Sequence, residues 1–295
     1  MFSWFNKLSI VTSTVGFLLL VPTVVASEIQ FLLNAASQDG RYVIANDAEL
    51  DKAESLFLRT MQGEISQQLQ DEWHNIGFDL ILLKENGEDY AVLQEQLARK
   101  EGRGFYLFRL GANDNSILQA PHSYKDLRTR EITFSAMLQS DYPAAAWNTV
   151  PRYYFENGTK ISADLAHLEK TFFTSFTRAF AQKFPMGNLL QLHGYAQEKR
   201  KSAAGQESEL ILSSGISVPS DSLLVMANCM KQNVSELTYA YPTEVRELGG
   251  TTNTIGKALR QFGHNGFIHT EISRGIRERL LIEVELERNF INCLP

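Results

Sequence analysis

From residue 117 onward, short apolar runs alternate with stretches of helical periodicity, and this alternation constrains the fold more than any other feature of the chain. The runs are residues 117–120, 144–150, 188–194, 209–213, 237–241 and 266–271. Helical spacing appears at 129–138, at 163–184 with Leu165, Leu168, Phe172, Phe176 and Phe180 on one face, at 220–230 and at 277–290, while 256–262 reads as helix or loop. Connections of a few residues between such elements predict parallel βαβ units, whose strands deliver their carboxyl ends to one edge of a sheet. Ahead of them, residues 78–85 and 90–96 flank Asn86-Gly87, a pair suited to the left-handed positions of a tight hairpin, and 102–110 reads as a further strand. Residues 27–70 read as mostly helical, with Leu50, Ala53, Leu56, Phe57, Met61 and Ile65 near helical spacing. The expectation is an α/β chain in which antiparallel strands precede parallel βαβ units, formed by a single domain over 27–295 whose first part, 27–100, is a helix and hairpin region. No internal repeat or Pro/Gly linker divides it.

Residues 1–26 have a different character. Lys7 is followed by an apolar run over 8–26 that ends Val24-Val25-Ala26-Ser27, the small or aliphatic pattern that a signal peptidase reads. Cleavage after Ala26 is expected, giving a periplasmic or secreted protein without stable membrane insertion. The alternative, an uncleaved anchor, is disfavoured by Thr12, Ser13, Thr14 and Pro22. The net charge of −6 argues against a nucleic-acid ligand, since Lys199-Arg200-Lys201 is too short a basic stripe and reads as a solvated loop. Cys229 and Cys293 both fall in the exported part, so one disulfide is expected, with two buried thiols as the alternative. Neither has a nearby His to make a thiolate nucleophile. Ser214-Gly215 and Ser273-Arg274-Gly275 lack the spacing of a serine nucleophile elbow.

Reactive side chains gather where the runs end. Pro121 stops the first run and His122 follows it; Arg152, His193 and Glu271 each sit at or just past the carboxyl end of another, so a parallel sheet brings all four to one crevice. Asp126 lies within one turn of His122 and completes a nitrogen and oxygen donor set of the kind zinc takes. Two His and one carboxylate leave a coordination position for water, Glu271 can take that water's proton, and Arg152 or Arg274 can dock a substrate carboxylate. His74, His167, His264 and His269 are expected to be structural or solvated, although alternation places His269 on the same strand face as Glu271.

Pro121-His122-Ser123, Gln191-Leu-His-Gly194, Gly249-Gly250 followed by Asn253, and Glu271-Ile-Ser-Arg274 resemble, in order and rough spacing, the N-formylglutamate amidohydrolase family. That family is related to zinc carboxypeptidases and to phage-type poly-γ-glutamate hydrolases, and the likeness covers about residues 102–279. It implies a phosphorylase/hydrolase-like three-layer fold with helices on both faces of the mixed sheet. It also implies Zn2+ as cofactor, His122 and His193 as its ligands, Glu271 as general base, and Arg152, Arg274 and Asn253 as substrate-binding residues. The chain departs from the carboxypeptidase His-x-x-Glu pattern, because Lys125 occupies the Glu position. Asp126 is therefore taken as the third ligand, with Glu131 and Asp164 as rivals. Where the amidohydrolases have Asp-x-His, this chain has Gln191-Leu-His193, so an orienting acid is missing or comes from elsewhere. The expected function is an exported zinc-dependent hydrolase that cleaves an amide bond beside a carboxylate, in an N-acyl amino acid, a γ-glutamyl peptide or a cell-wall peptide. The alternative is a catalytically silent relative that binds an anionic peptide or glycan in the same crevice.

Overall fold

A computed structural model describes residue 1 and residues 27–37 and 41–295. The expected cleavage after Ala26 lies outside the described residues. The strands are β1 (Phe78–Glu85), β2 (Glu88–Glu95), β3 (Phe105–Arg109), β4 (Ile117–Ala120), β5 (Ala144–Trp147), β6 (Tyr153–Glu156), β7 (Thr159–Ser162), β8 (Leu189–Tyr195), β9 (Leu210–Ser213), β10 (Thr238–Ala240) and β11 (Phe267–Ser273). The helices are α1 (Glu28–Ala36), α2 (Asp47–Met61), α3 (Gln67–Asn75), α4 (Thr129–Gln139), α5 (Phe172–Lys183), α6 (Ala203–Glu207), α7 (Asp221–Asn233), α8 (Thr254–Gln261), α9 (Arg274–Leu280) and α10 (Val284–Asn292).

Nine strands form one mixed sheet in the order β1-β2-β3-β5-β4-β8-β11-β9-β10, and β6 and β7 form a separate ribbon. Alternation along the strands divides the core in two. Val92, Leu107, Leu118, Leu190 and Ile268 pack toward α1, α4, α7, α9 and α10, while Leu93, Phe108, Ile117, Leu189 and Phe267 pack toward α2, α3, α5 and α8. The result is a three-layer α/β fold. Asn86 and Gly87 both take positive φ in the β1–β2 turn, which is why this pair can close a two-residue hairpin.

Three details differ from the sequence expectation. The parallel block is β5-β4-β8-β11, whereas β9 and β10 run parallel to each other but β9 pairs antiparallel with β11. The helix expected over 163–184 begins only at Phe172, because the Thr171 side chain accepts the Thr174 amide as its cap and the preceding residues turn at Asp164. The last helix is two, α9 and α10, and the break lets Ile276 and Leu280 face the same core as Leu286 and Phe290.

Cys229 on α7 and Cys293 after α10 are joined by a disulfide that closes a sequence separation of 64 residues. By loop-closure entropy this constrains the unfolded chain by about 4 kcal/mol. Replacing both cysteines by Ala is expected to lower the free energy of urea unfolding by about that amount.

Glu95, at the end of β2, is buried with one carboxyl oxygen accepting the Glu101 and Arg103 amides and the other accepting the Thr149 hydroxyl. Burial outweighs these donors and pushes its pKa up to about 7. A raised folded-state pKa gives stability that is complete below the unfolded value near 4.5 and is lost as pH rises through 7. That loss is roughly 3 kcal/mol. The difference in unfolding free energy between wild type and Glu95→Gln, followed from pH 4 to 8, is expected to shift by this order in favour of the variant.

Candidate metal centre

Strand register prepares the site. Across the parallel strands β4, β8 and β11, Ile117, Leu189 and Phe267 are level, then Gln119, Gln191 and His269, and then His193 and Glu271. These residues share the face covered by α5 and α8, so the face passes from apolar side chains to amides and an imidazole, and then to an imidazole and a carboxylate at the strands' carboxyl ends. Loops add the rest. After Pro121 the His122 carbonyl accepts the Lys125 and Asp126 amides, and this turn brings Asp126 back against the His122 ring. The Asn148 side chain holds the Ser123 amide and hydroxyl, and Thr129 donates to the Asp126 carbonyl.

His122, Asp126 and His193 each offer a ligand atom within 4.8 Å of the others, and all three are buried. Asp126 Oδ2 lies 3.6 Å from His122 Nδ1 and 3.3 Å from His193 Nδ1. The outer nitrogens of both rings have acceptors: His122 Nε2 is 2.7 Å from Asp164 Oδ1, and His193 Nε2 is 2.9 Å from Gln191 Oε1. Such acceptors fix the tautomer and leave Nδ1 for a cation, the arrangement that surrounds protein metal sites. A second group, His122, Asp164 and His167, also has its ligand atoms within 4.8 Å. It uses the same His122 ring through its other nitrogen, and Arg152 Nε already donates to Asp164 Oδ2. One neutral imidazole has one lone pair to give, so the His122 ring can serve only one of the two groups at a time.

The charges match. Burial disfavours the His122 imidazolium, but Asp126 and Asp164 on its two nitrogens outweigh it and raise the pKa. Burial works against the Asp126 carboxylate too, and the neighbouring His122 outweighs it, holding the carboxyl well below the usual range. Burial, and then the adjacent His269, pull His193 down to about 4. His193 is thus a neutral ring, held between the Asp126 carboxylate at Nδ1 and the Gln191 side chain at Nε2.

The expected residues fall as follows. Glu271 lines the cleft, with Oε1 3.2 Å from His269 Nε2. Arg152 reaches the cleft but is tied to Asp164. Arg274 lies on the rim, highly exposed and paired with Glu278. Asn253 lines the cleft; its Oδ1 accepts the Ile255 and Gly256 amides as the cap of α8, and its Nδ2 donates to Gln191 Oε1. Glu131 pairs with Arg128 in the first turn of α4, apart from this group.

Sequence reasoning placed His269 on the face of Glu271, but missed Asp164 as the His122 partner, Gln191 as the His193 partner, and Arg277. Arg277 is buried one turn beyond Arg274, and its hydrogen bonds go to the Ser273 and Leu127 carbonyls. A Cβ on Gly194 would lie 1.9 Å from Arg277 Nη1, so the His-Gly pair makes room for this guanidinium. Gly250, at φ +60, likewise allows the backbone against the His269 ring. The available signal was the second arginine three positions after the first, on the helix that follows Glu271. The cleft has a volume of about 830 Å³. No helix of the described residues is long and apolar enough to cross a membrane. No family model matches the chain, and a search of curated proteins finds no match.

Proposed function

We propose that this protein is an exported zinc-dependent hydrolase that cleaves an amide bond beside a carboxylate, as the resemblance to the N-formylglutamate amidohydrolases implies. The observation that carries the reading is the buried cluster of His122, Asp126 and His193, whose ligand atoms lie within 4.8 Å of one another. His122, Asp126 and His193 would hold the ion, which when bound supplies Lewis acidity and an acidified water. His122 would present Nδ1 to the ion, its proton there released to solvent, with Asp164 holding the proton on Nε2. Glu271 takes a proton from water at the carboxylate oxygen not held by His269 and delivers it to the departing amine. His269, packed against His193 with ring centroids 4.5 Å apart, keeps that carboxylate turned into the cleft.

Although the chain as a whole is acidic, Lys125, Arg152, Lys199, Arg200, Arg274 and Arg277 line the cleft. This concentration of cations supports a substrate that carries a carboxylate. Arg277 is the anchor of choice, since Arg152 and Arg274 are already paired with Asp164 and Glu278. The Cys229–Cys293 disulfide suits an oxidising compartment outside the cytoplasm. The test is hydrolysis of N-acyl amino acids and γ-glutamyl peptides by the zinc-loaded protein, set against the matching amides without the carboxylate. Arg277→Met is expected to lower kcat/KM for the carboxylate substrates by roughly 10- to 100-fold, the value of one charge-assisted hydrogen bond, and to leave the neutral amides unchanged. Equal loss on both series would remove Arg277 as the anchor. Failure of the wild type on every amide would contradict the hydrolase reading.

A further inference from the structure

We propose that Gln191 is a positioning residue that decides which nitrogen of His193 carries the proton, and that its own orientation is dictated by Thr177 on α5 and by Asn253 at the cap of α8. The polarity can be followed bond by bond. The Thr177 hydroxyl, on α5, donates to the Phe173 carbonyl at 2.8 Å, so toward Gln119 Nε2 at 3.2 Å it can only accept. Gln119 therefore turns its Oε1 to Gln191 Nε2 at 2.9 Å. Gln191 is left with Oε1 facing His193 Nε2 at 2.9 Å and Asn253 Nδ2.

The same answer comes from the other end. Asn253 Oδ1 is committed to the backbone amides at the start of α8, so the group it offers Gln191 is a donor. A reversed Gln191 would set amide against amide at Asn253 and oxygen against oxygen at Gln119. Gln119, Gln191, Thr177, Asn253 and His193 are all at most 3% exposed, so such a mismatch would be buried. Buried polar groups left unpaired in this way are costly, which makes the chain all-or-none. His193 must therefore hold its proton on Nε2 and present the Nδ1 lone pair toward Asp126. An uncharged amide thus does the orienting that a carboxylate does for His122, and it does so without adding a negative charge beside the site.

The inference rests on the proposed metal site for its purpose, but its test does not need the metal. In metal-free full-length protein labelled with 15N-histidine, NMR at neutral pH is expected to show His193 protonated on Nε2 and unprotonated on Nδ1. Gln191→Met should abolish that preference and weaken zinc binding, titrated with zinc alone, by about 10- to 100-fold. Gln191→Glu, which keeps an acceptor toward His193, should restore the Nε2 proton. A wild-type His193 protonated on Nδ1, or a Gln191→Met protein with the wild-type tautomer, would overturn the proposal. Should Gln191→Met not fold, the wild-type spectrum and Gln191→Glu decide it. The Nε2 tautomer in a protein that takes up no zinc would support this inference and contradict the zinc reading, and zinc uptake by a protein with the proton on Nδ1 would do the reverse.

Discussion

Glu271→Gln is expected to reduce turnover by about 10²- to 10⁴-fold while leaving the bound metal in place. The substitution keeps the side chain's shape and removes its ability to take a proton. Glu271 lies one strand over from His193, level with it in the β8–β11 register, and is not among the three side chains whose ligand atoms cluster. Its loss should therefore spare the metal. His269→Ala should share part of the defect, because His269 Nε2 is the group that holds Glu271 Oε1. If wild type and Glu271→Gln bind the carboxylate ligand alike and neither turns it over, the cleft binds without catalysing and the silent-relative reading takes over, whereas equal turnover by both would remove Glu271 as the base.

His193→Ala is expected to have the opposite signature, with zinc lost and the fold kept. Structural zinc sites bind with about 10–16 kcal/mol, so one ligand in four is worth about 3 kcal/mol, on the order of a hundredfold in affinity. His122→Ala should cost at least as much, since it removes a donor and also leaves Asp164 without the ring nitrogen that it faces at 2.7 Å. Zinc titrations of the two variants, with circular dichroism to confirm folding, check this. Retention of wild-type affinity in either would displace that residue from the ligand set. Glu131→Ala serves as the control, because Glu131 pairs with Arg128 away from the cluster, and it should leave affinity unchanged.

Much of this arrangement was written locally. Ile117 through Ala120 with Pro121 behind them, and Leu189 through His193, declare strand ends, and placing those ends at one sheet edge places His122, His193 and Glu271 together. The Asn86-Gly87 turn is equally local, since it depends on two residues that tolerate positive φ. What stayed hidden depends on groups far apart in sequence or on helical phase. Asp164 reaches His122 across 42 residues because the β6–β7 ribbon and the turn before Thr171 carry it there, and a run of apolar residues over 163–184 concealed that turn. Arg277 and not Arg274 is buried because α9, capped by Ser273, starts at Arg274 and carries Arg277 one turn deeper, against Gly194. The antiparallel pairing of β9 with β11 follows from how the chain crosses the sheet, which alternation of strand and helix does not specify. Gln191 looked like a strand residue two places before a histidine, and its role emerges only when Thr177 and Asn253 are brought beside it.

Metal content of the purified mature protein, measured by elemental analysis beside His122→Ala and His193→Ala, is the most direct test of the whole account. About one zinc per chain in the wild type, lost from both variants, is the result expected of three ligands gathered in one buried site. Wild-type protein that retains no metal after zinc is offered and the excess removed would contradict the metal centre and the hydrolase built on it.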